Sequence, residues 1–358
     1  MKRRLLPILM TLVLVCALPI WAAFVTSGDV TNPLVCTAGA TLPDLQAKID
    51  AAADNATITL DSNTEIAATL QITKNLTLDL NGCTLRMTGT GSVLKVSGRA
   101  TLTITDSRPQ NPHTGSYGRL PAGGVITGGE GTDLTGIYNV GGAVFLENDT
   151  TLKLEGGTIT GNSSRGSVFI DGAIFEMSGG TITGETVGVY NNVGTFTMTG
   201  GRITGCSDRG VYVYNGNMTM SGTAYIGENP NARREDIYVY ESDHKHTDLS
   251  VTGGTIAGKV RIVFRENLYP TQDELKAAAN SVVKEQGVFD GHIKVEKGTS
   301  GICVDYNSVN FIDEVAKTRT LKLVLQPNAV EEPETPATVN GREFMYWTKE
   351  GVSEAWDF

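Results

Sequence analysis

Gly156-Gly157-Thr158-Ile159-Thr160-Gly161, Gly179-Gly180-Thr181-Ile182-Thr183-Gly184 and Gly200-Gly201-Arg202-Ile203-Thr204-Gly205 are one phrase written three times at intervals of about 22 residues. An earlier copy stands at 123–128. A variant, Gly253-Gly254-Thr255-Ile256-Ala257-Gly258, closes the series, and Met220-Ser221-Gly222-Thr223 is a degraded copy. A second marker keeps the same step: Gly142, Gly166, Gly188 and Gly210 each precede a β-rich run. Two independent markers at one period define a repeat protein.

Between the glycines the period is two. Leu152-x-Leu154, Phe175-x-Met177, Phe196-x-Met198, Met218-x-Met220 and Leu249-x-Val251 alternate as a strand with one buried face does. The same offset in successive repeats stacks like on like. Leu152, Phe175, Phe196, Met218 and Leu249 form one column, their partners two residues on form a second, and Ile126, Ile159, Ile182, Ile203 and Ile256 form a third. Such a unit cannot bury its apolar face alone, but stacked coils pair each backbone with the coils above and below. The expectation is an all-β protein, a right-handed parallel β-helix over residues 41–265. Strands in 55–105, such as Leu76-Thr77-Leu78-Asp79-Leu80, begin the same body, for roughly nine coils in all. Leucine-rich repeats need a Leu-x-x-Leu-x-Leu frame that is absent, and a propeller blade needs about twice the period.

A solenoid must cap its open ends. Leu42, Leu45 and Ile49 share one face of a short helix before the first strand. At the other end, Thr271-x-x-Glu274 after Pro270 opens a second helix through Leu275, Ala279, Val282 and Val283.

Composition agrees with a repeat body and excludes several classes. Glycine, 42 of 358 residues, is about 12% against a usual share of roughly 7%, and with 12 prolines and no Gly-X-Y period collagen is excluded. The formal charge is −10 with no basic stripe, so nucleic acid is not an expected partner. Met1-Lys2-Arg3-Arg4, the apolar run Leu5–Trp21 and Ala22-Ala23 form an export signal over 1–23, whose alternative is an uncleaved anchor. No second apolar run is long enough to span a bilayer. After the solenoid comes a small β-rich module, in which 266–326 reads as a C-terminal cap of α+β character, followed by a Pro/Glu linker at 327–340 and a short terminal module at 341–358. Cys36, Cys83, Cys206 and Cys303 form no metal or redox motif. Export permits disulfides, but Cys83 and Cys206 lie in β-patterned segments where a buried free thiol is the expectation.

Asp44-Leu45-Gln46-Ala47-x-Ile49, Leu76-Thr77-Leu78-Asp79-Leu80-Asn81-Gly82 and the repeated Gly-Gly-Thr-Ile-Thr-Gly together resemble secreted adhesin-like proteins of the pectate-lyase-like β-helix superfamily. Asn229-Pro230-x-Ala232 before Asp236-Ile237-Tyr238-Val239 is similar to the last coils of those proteins. Gly341-Arg342-Glu343-Phe344-Met345-Tyr346-Trp347-Thr348 with Trp356-Asp357-Phe358 is similar to the opening half of a Listeria–Bacteroides (InlB B-type) surface repeat, with Tyr346 in place of the usual glycine. The resemblance implies a protein that is secreted or held at the cell wall or envelope. The superfamily holds lyases, hydrolases and non-catalytic adhesins, so it does not settle activity.

Polysaccharide lyases and hydrolases of this fold need clustered acids. Here the repeats carry Thr, Ser, Asn and Gly, and Asp171, Asp208 and Asp236 take different offsets. A non-catalytic binding or spacer module is therefore expected, with no cofactor, and a polysaccharide lyase or glycoside hydrolase is the alternative. His244 and His246 are the densest metal-ligand pair, but a solvated loop before Leu249 is the favoured reading and no metal is expected. Tyr190, Tyr212 and Tyr238, with Tyr214 and Tyr240 beside them, share strand offsets opposite the inward valines, and Tyr138 is a further candidate. They should stack on one outer face, with Arg209 and Asp236 at the rim and the loop 241–248 along one side. Flat rings bearing hydroxyls suit a glycan or a cell-surface protein. The alternative is that the tyrosines cover the sheet and stabilise coil pairing.

Overall fold

The computed structural model describes residues 44–134, 139–228, 235–242, 247–257, 259–264, 283–284, 296–298, 301–313 and 318–325. These form a parallel β-solenoid of about 8 coils, each about 23 residues. Every coil contributes one short strand to each of three sheets. Sheet I begins at Leu70–Ile72, sheet II at Ala56–Thr59 and sheet III at Thr64–Ile66, and among the described residues they hold eleven, nine and eight strands. The count is below the nine coils expected because 106–143 spends its length on two insertions, so that Leu94 pairs directly with Val144.

Registers reproduce the columns. In sheet II, Leu76, Leu102, Leu152, Phe175, Phe196, Met218 and Leu249 are consecutive partners. Sheet III stacks Leu85, Ile126, Ile159, Ile182, Ile203, Ile226 and Ile256, so the degraded copy at 220–223 still supplies its isoleucine. All are buried. Each such side chain contributes about 1.5–3 kcal/mol relative to exposure, which is why short strands suffice.

The N-terminal cap is the helix Asp44–Ala51, with Leu45 and Ile49 buried. Its Gln46 does what a strand would do at the open edge. The Gln71 backbone N–H donates to Gln46 Oε1 at 2.8 Å, and Gln46 Nε2 donates to the Gln71 carbonyl at 3.1 Å. One amide thereby satisfies backbone groups that an edge strand otherwise presents to another chain. Lys74 Nζ donates to the Asp50 and Ala52 carbonyls at 2.7 and 3.0 Å, closing the helix C-terminus.

The C-terminal cap departs from expectation. Val283, assigned above to a helix, lies in a strand with Lys284 that pairs in parallel with Leu249–Ser250 and extends sheet II. The rest of that helix falls outside the described residues. Lys259–Phe264 receives Gly301–Asp313 in antiparallel pairing, and Thr318–Leu325 pairs with that strand in turn. The segment after the solenoid thus continues sheet I instead of starting a new layer.

The cysteines divide. Cys206 is a buried thiol outside any disulfide, as expected. Cys83 is disulfide-bonded, which corrects the free-thiol expectation. Its partner lies outside the described side chains.

One turn is strained. Val193 has φ +61° where Gly172 and Asn215, beside it in the neighbouring coils, have +62° and +49°. A β-branched side chain is poorly suited to this left-handed region. Val193 is also 48% exposed, so packing returns little. Val193→Asn is expected to stabilise the protein by about 1 kcal/mol, raising Tm by about 2 °C in calorimetry. An unchanged or lower Tm contradicts the strain argument.

Candidate functional site

The outer face of sheet I carries a ladder of five aromatic rungs on successive coils. Phe145, Phe169, Tyr190, Tyr212 and Tyr238 are in register, with Lys95 before them and Arg261 after. Val144, Val168, Val189, Val211 and Ile237 precede them on the buried face, so alternation alone turns the rings outward. Phe145 and Phe169 were not foreseen, although Val144-Phe145-Leu146 and Val168-Phe169-Ile170 repeat the tyrosine offset.

Ring geometry changes along the ladder. Phe145 and Phe169 stack at 5.4 Å and 21°. Tyr190–Tyr212 and Tyr212–Tyr238 meet edge to face, at 4.6 Å and 70° and at 5.1 Å and 77°. These three rings, expected to stack, do not present parallel flat faces. Tyr190 keeps only 7% of its surface and packs with Phe145, Phe169 and Val140. Val140 arrives on the second insertion, whose short hairpin pairs Asn139–Val140 with Thr132–Asp133. Gly166 makes room: a Cβ there would lie 2.5 Å from Tyr190 Cβ, and its φ of +87° also favours glycine. Tyr190 is thus covered rather than free for a ligand, because an insertion lacking the repeat lies over it.

Beyond the cover, Arg209 is clamped onto the remaining rungs. Its guanidinium carbon is 4.1 Å from the Tyr238 ring centroid and 5.4 Å from that of Tyr212. Asp208 holds it at 2.9 Å, and buried Glu235 lies 3.7 Å from its Nε while pairing with Arg261 at 3.0 Å. The acids and arginines alternate, so the cluster carries little net charge. Burial pushes the Tyr212 phenol above its usual range, and Arg209 and then Arg165 draw it partly back. Tyr212 is therefore a protonated hydrogen-bond donor at neutral pH. Asp236, expected at the rim, is buried. Glu235 takes the place foreseen for it, one residue earlier in the sequence.

Tyr214 and Tyr240 form a second outward column, stacked at 5.7 Å and 8°. Asp171 and Asn192 precede them in register, and Asn192 Nδ2 donates to Asp171 Oδ1 at 2.8 Å. Ser242 donates to the Tyr214 hydroxyl oxygen at 3.2 Å. Both tyrosines are half-buried; Val193, 48% exposed, lies on the turn leading from this column into sheet II, and Ile174, 45% exposed, is the first residue of the sheet II strand Ile174–Met177. Among the paired tyrosines, these two keep parallel faces.

Tyr138, His244 and His246 fall outside the described residues, as do 1–43 and 326–358. Among the described residues no group of three or more His, Cys, Asp or Glu side chains gathers as metal ligands, and no helix is long and apolar enough to cross a membrane. No protein-family model matches the chain, and neither the curated proteins nor the solved structures contain a match to it.

Proposed function

We propose that this is a secreted or cell-envelope-associated, non-catalytic binding module, adhesin-like and of the pectate-lyase-like β-helix type, which holds a glycan or a cell-surface protein on the outer face of sheet I. The export signal read in 1–23 and the surface-repeat resemblance of 341–358 support the location. The observation that carries the reading is the half-buried end of the aromatic face, where Tyr214 and Tyr240 keep parallel rings two residues along the strands from Tyr212 and Tyr238, the rungs over which Arg209 is held. Rings already held in place lose little freedom on contact, so binding keeps more of the stacking energy.

The test is binding to glycan arrays and to cell surfaces. Each ring contributes on the order of 1 kcal/mol, so Tyr214→Ala and Tyr240→Ala are each expected to weaken binding about fivefold, with Tm nearly unchanged. Tyr190→Ala, at a covered ring, is expected to lower Tm without that direct loss. Full binding by the double variant Tyr214→Ala/Tyr240→Ala removes the site. Steady release of unsaturated or reducing ends from pectin or polygalacturonate, with or without calcium, would replace the binding reading with an enzymatic one.

A further inference from the structure

The second outward column of sheet I continues past its two rings. Asp171, Asn192, Tyr214 and Tyr240 are partners on four successive coils. Ile170, Asn191, Val213 and Val239, one residue earlier, are buried, so strand alternation turns all four side chains outward. At about 4.8 Å per coil they span about 14 Å, and each step is close to one ring of a linear sugar chain. Asn192 Nδ2 donates to Asp171 Oδ1 at 2.8 Å, and since only nitrogen can donate to a carboxylate, the amide is fixed in orientation. Among the described residues no hydrogen bond uses Asp171 Oδ2 or the Asn192 side-chain carbonyl. Beside them, the Tyr214 hydroxyl accepts from Ser242 and keeps its own proton to donate.

Asp171 also differs from the other acids around this face. Glu147 is paired with Lys95 at 2.7 Å, and Asp208 and Glu235 balance the arginines near Tyr212 and Tyr238. Among the described residues no cation pairs with Asp171. The column therefore ends in one uncompensated negative charge, on a chain whose formal net charge is −10.

Resting on the binding surface proposed above, we propose that Asp171 and Asn192 form a second subsite next to the Tyr214–Tyr240 platform and that Asp171 sets the ligand's charge: the column takes an uncharged oligosaccharide running along the stack and turns away uronic and other acidic chains. Neighbouring hydroxyls of one sugar ring both donate and accept, which suits a pair offering the Asp171 Oδ2 acceptor beside the Asn192 carbonyl and remaining N–H. The next ring lies against the tyrosines, where apolar contact is available. An acidic chain finds no cation to pair with here and meets a like charge, and selectivity arises from that repulsion as much as from the bonds to a neutral ring.

Titration calorimetry on the full chain tests this with paired probes, tetrasaccharides of glucose, mannose and galactose and the corresponding glucuronate, mannuronate and galacturonate tetrasaccharides. The expected result is binding to at least one neutral probe and weaker binding to its acidic counterpart. Asp171→Asn keeps an oxygen for Asn192 but removes the charge. It should weaken the neutral probe about fivefold and strengthen the acidic one about fivefold, with Tm unchanged. Asn192→Ala should weaken the neutral probe about fivefold without the gain for acidic probes, which a general loosening of the face would not produce. Preference for the acidic probes, or a neutral-to-acidic ratio unmoved by Asp171→Asn, overturns the subsite alone if binding still falls in Tyr214→Ala and Tyr240→Ala. Absence of binding to every probe also overturns it, and cell-surface binding through Tyr214 and Tyr240 then reports separately whether the surface reading stands.

Discussion

Phe196→Ala should cost about 4 kcal/mol of stability, the largest loss expected from a single side chain here. Phe196 is fully buried in sheet II and stacks on Phe175 with ring centroids 4.9 Å apart and planes 14° from parallel. Met218 follows it in register on the next coil. Truncation removes the transfer energy of the ring, leaves a cavity in a column whose backbone is pinned on both sides, and forfeits the ring–ring contact. Parallel pairing through Met198 and Met220 holds the neighbouring backbone at its spacing, so the gap cannot collapse. Because stability in a solenoid is a sum of unit and interface contributions, the loss should concentrate between the coils of Phe175 and Met218. Phe196→Met, which extends the methionine already present at Met218, should cost only roughly 1–2 kcal/mol. Denaturant unfolding of the three proteins checks both values. A loss below about 1 kcal/mol for Phe196→Ala would mean that the column is not tightly packed.

The same column shows why the fold was legible in the sequence. Strand alternation and the glycine step fix which residues face inward and which coils are neighbours, and the predicted partners of Leu152, Phe175 and Phe196 are the observed ones. Phe145 and Phe169 escaped notice because the ladder was sought as tyrosines, although both keep the strand offset. The cover on Tyr190 was not legible for a different reason. Residues 129–141 carry no repeat, and an insertion's path depends on contacts such as Asn162 with Gly129 that no periodicity announces. The antiparallel return of Gly301–Asp313 onto Lys259–Phe264 lies beyond the last repeat, where there is no period to read.

Asn191→Val is the case in which column logic and the structure give opposite answers. Asn191 pairs with Ile170 on one side and Val213 on the other, both inward and fully buried, so a valine there would complete an apolar column. The structure gives the amide a different task. Asn191 is itself fully buried, its Oδ1 accepts from the Gly194 N–H at 2.9 Å, and its Nδ2 donates to the carbonyls of Asn217 and Gly194 at 2.8 and 3.1 Å. It therefore closes the turn from sheet I into sheet II and ties that turn to the next coil. Valine would gain apolar burial but leave the Gly194 N–H and the Asn217 carbonyl without these partners, at about 1–3 kcal/mol for each buried group. Space is also short, because the position of a Cβ on Gly216 lies 2.8 Å from both amide atoms. The net expectation is a loss of about 3 kcal/mol for Asn191→Val, with an unchanged denaturant slope. Asn191→Asp should be worse at neutral pH, since it keeps the acceptor for Gly194 but turns a buried negative charge toward two carbonyls. If Asn191→Val instead matches or exceeds the parent in stability, the amide bonds contribute nothing net, and inward columns in this solenoid are governed by apolar burial alone.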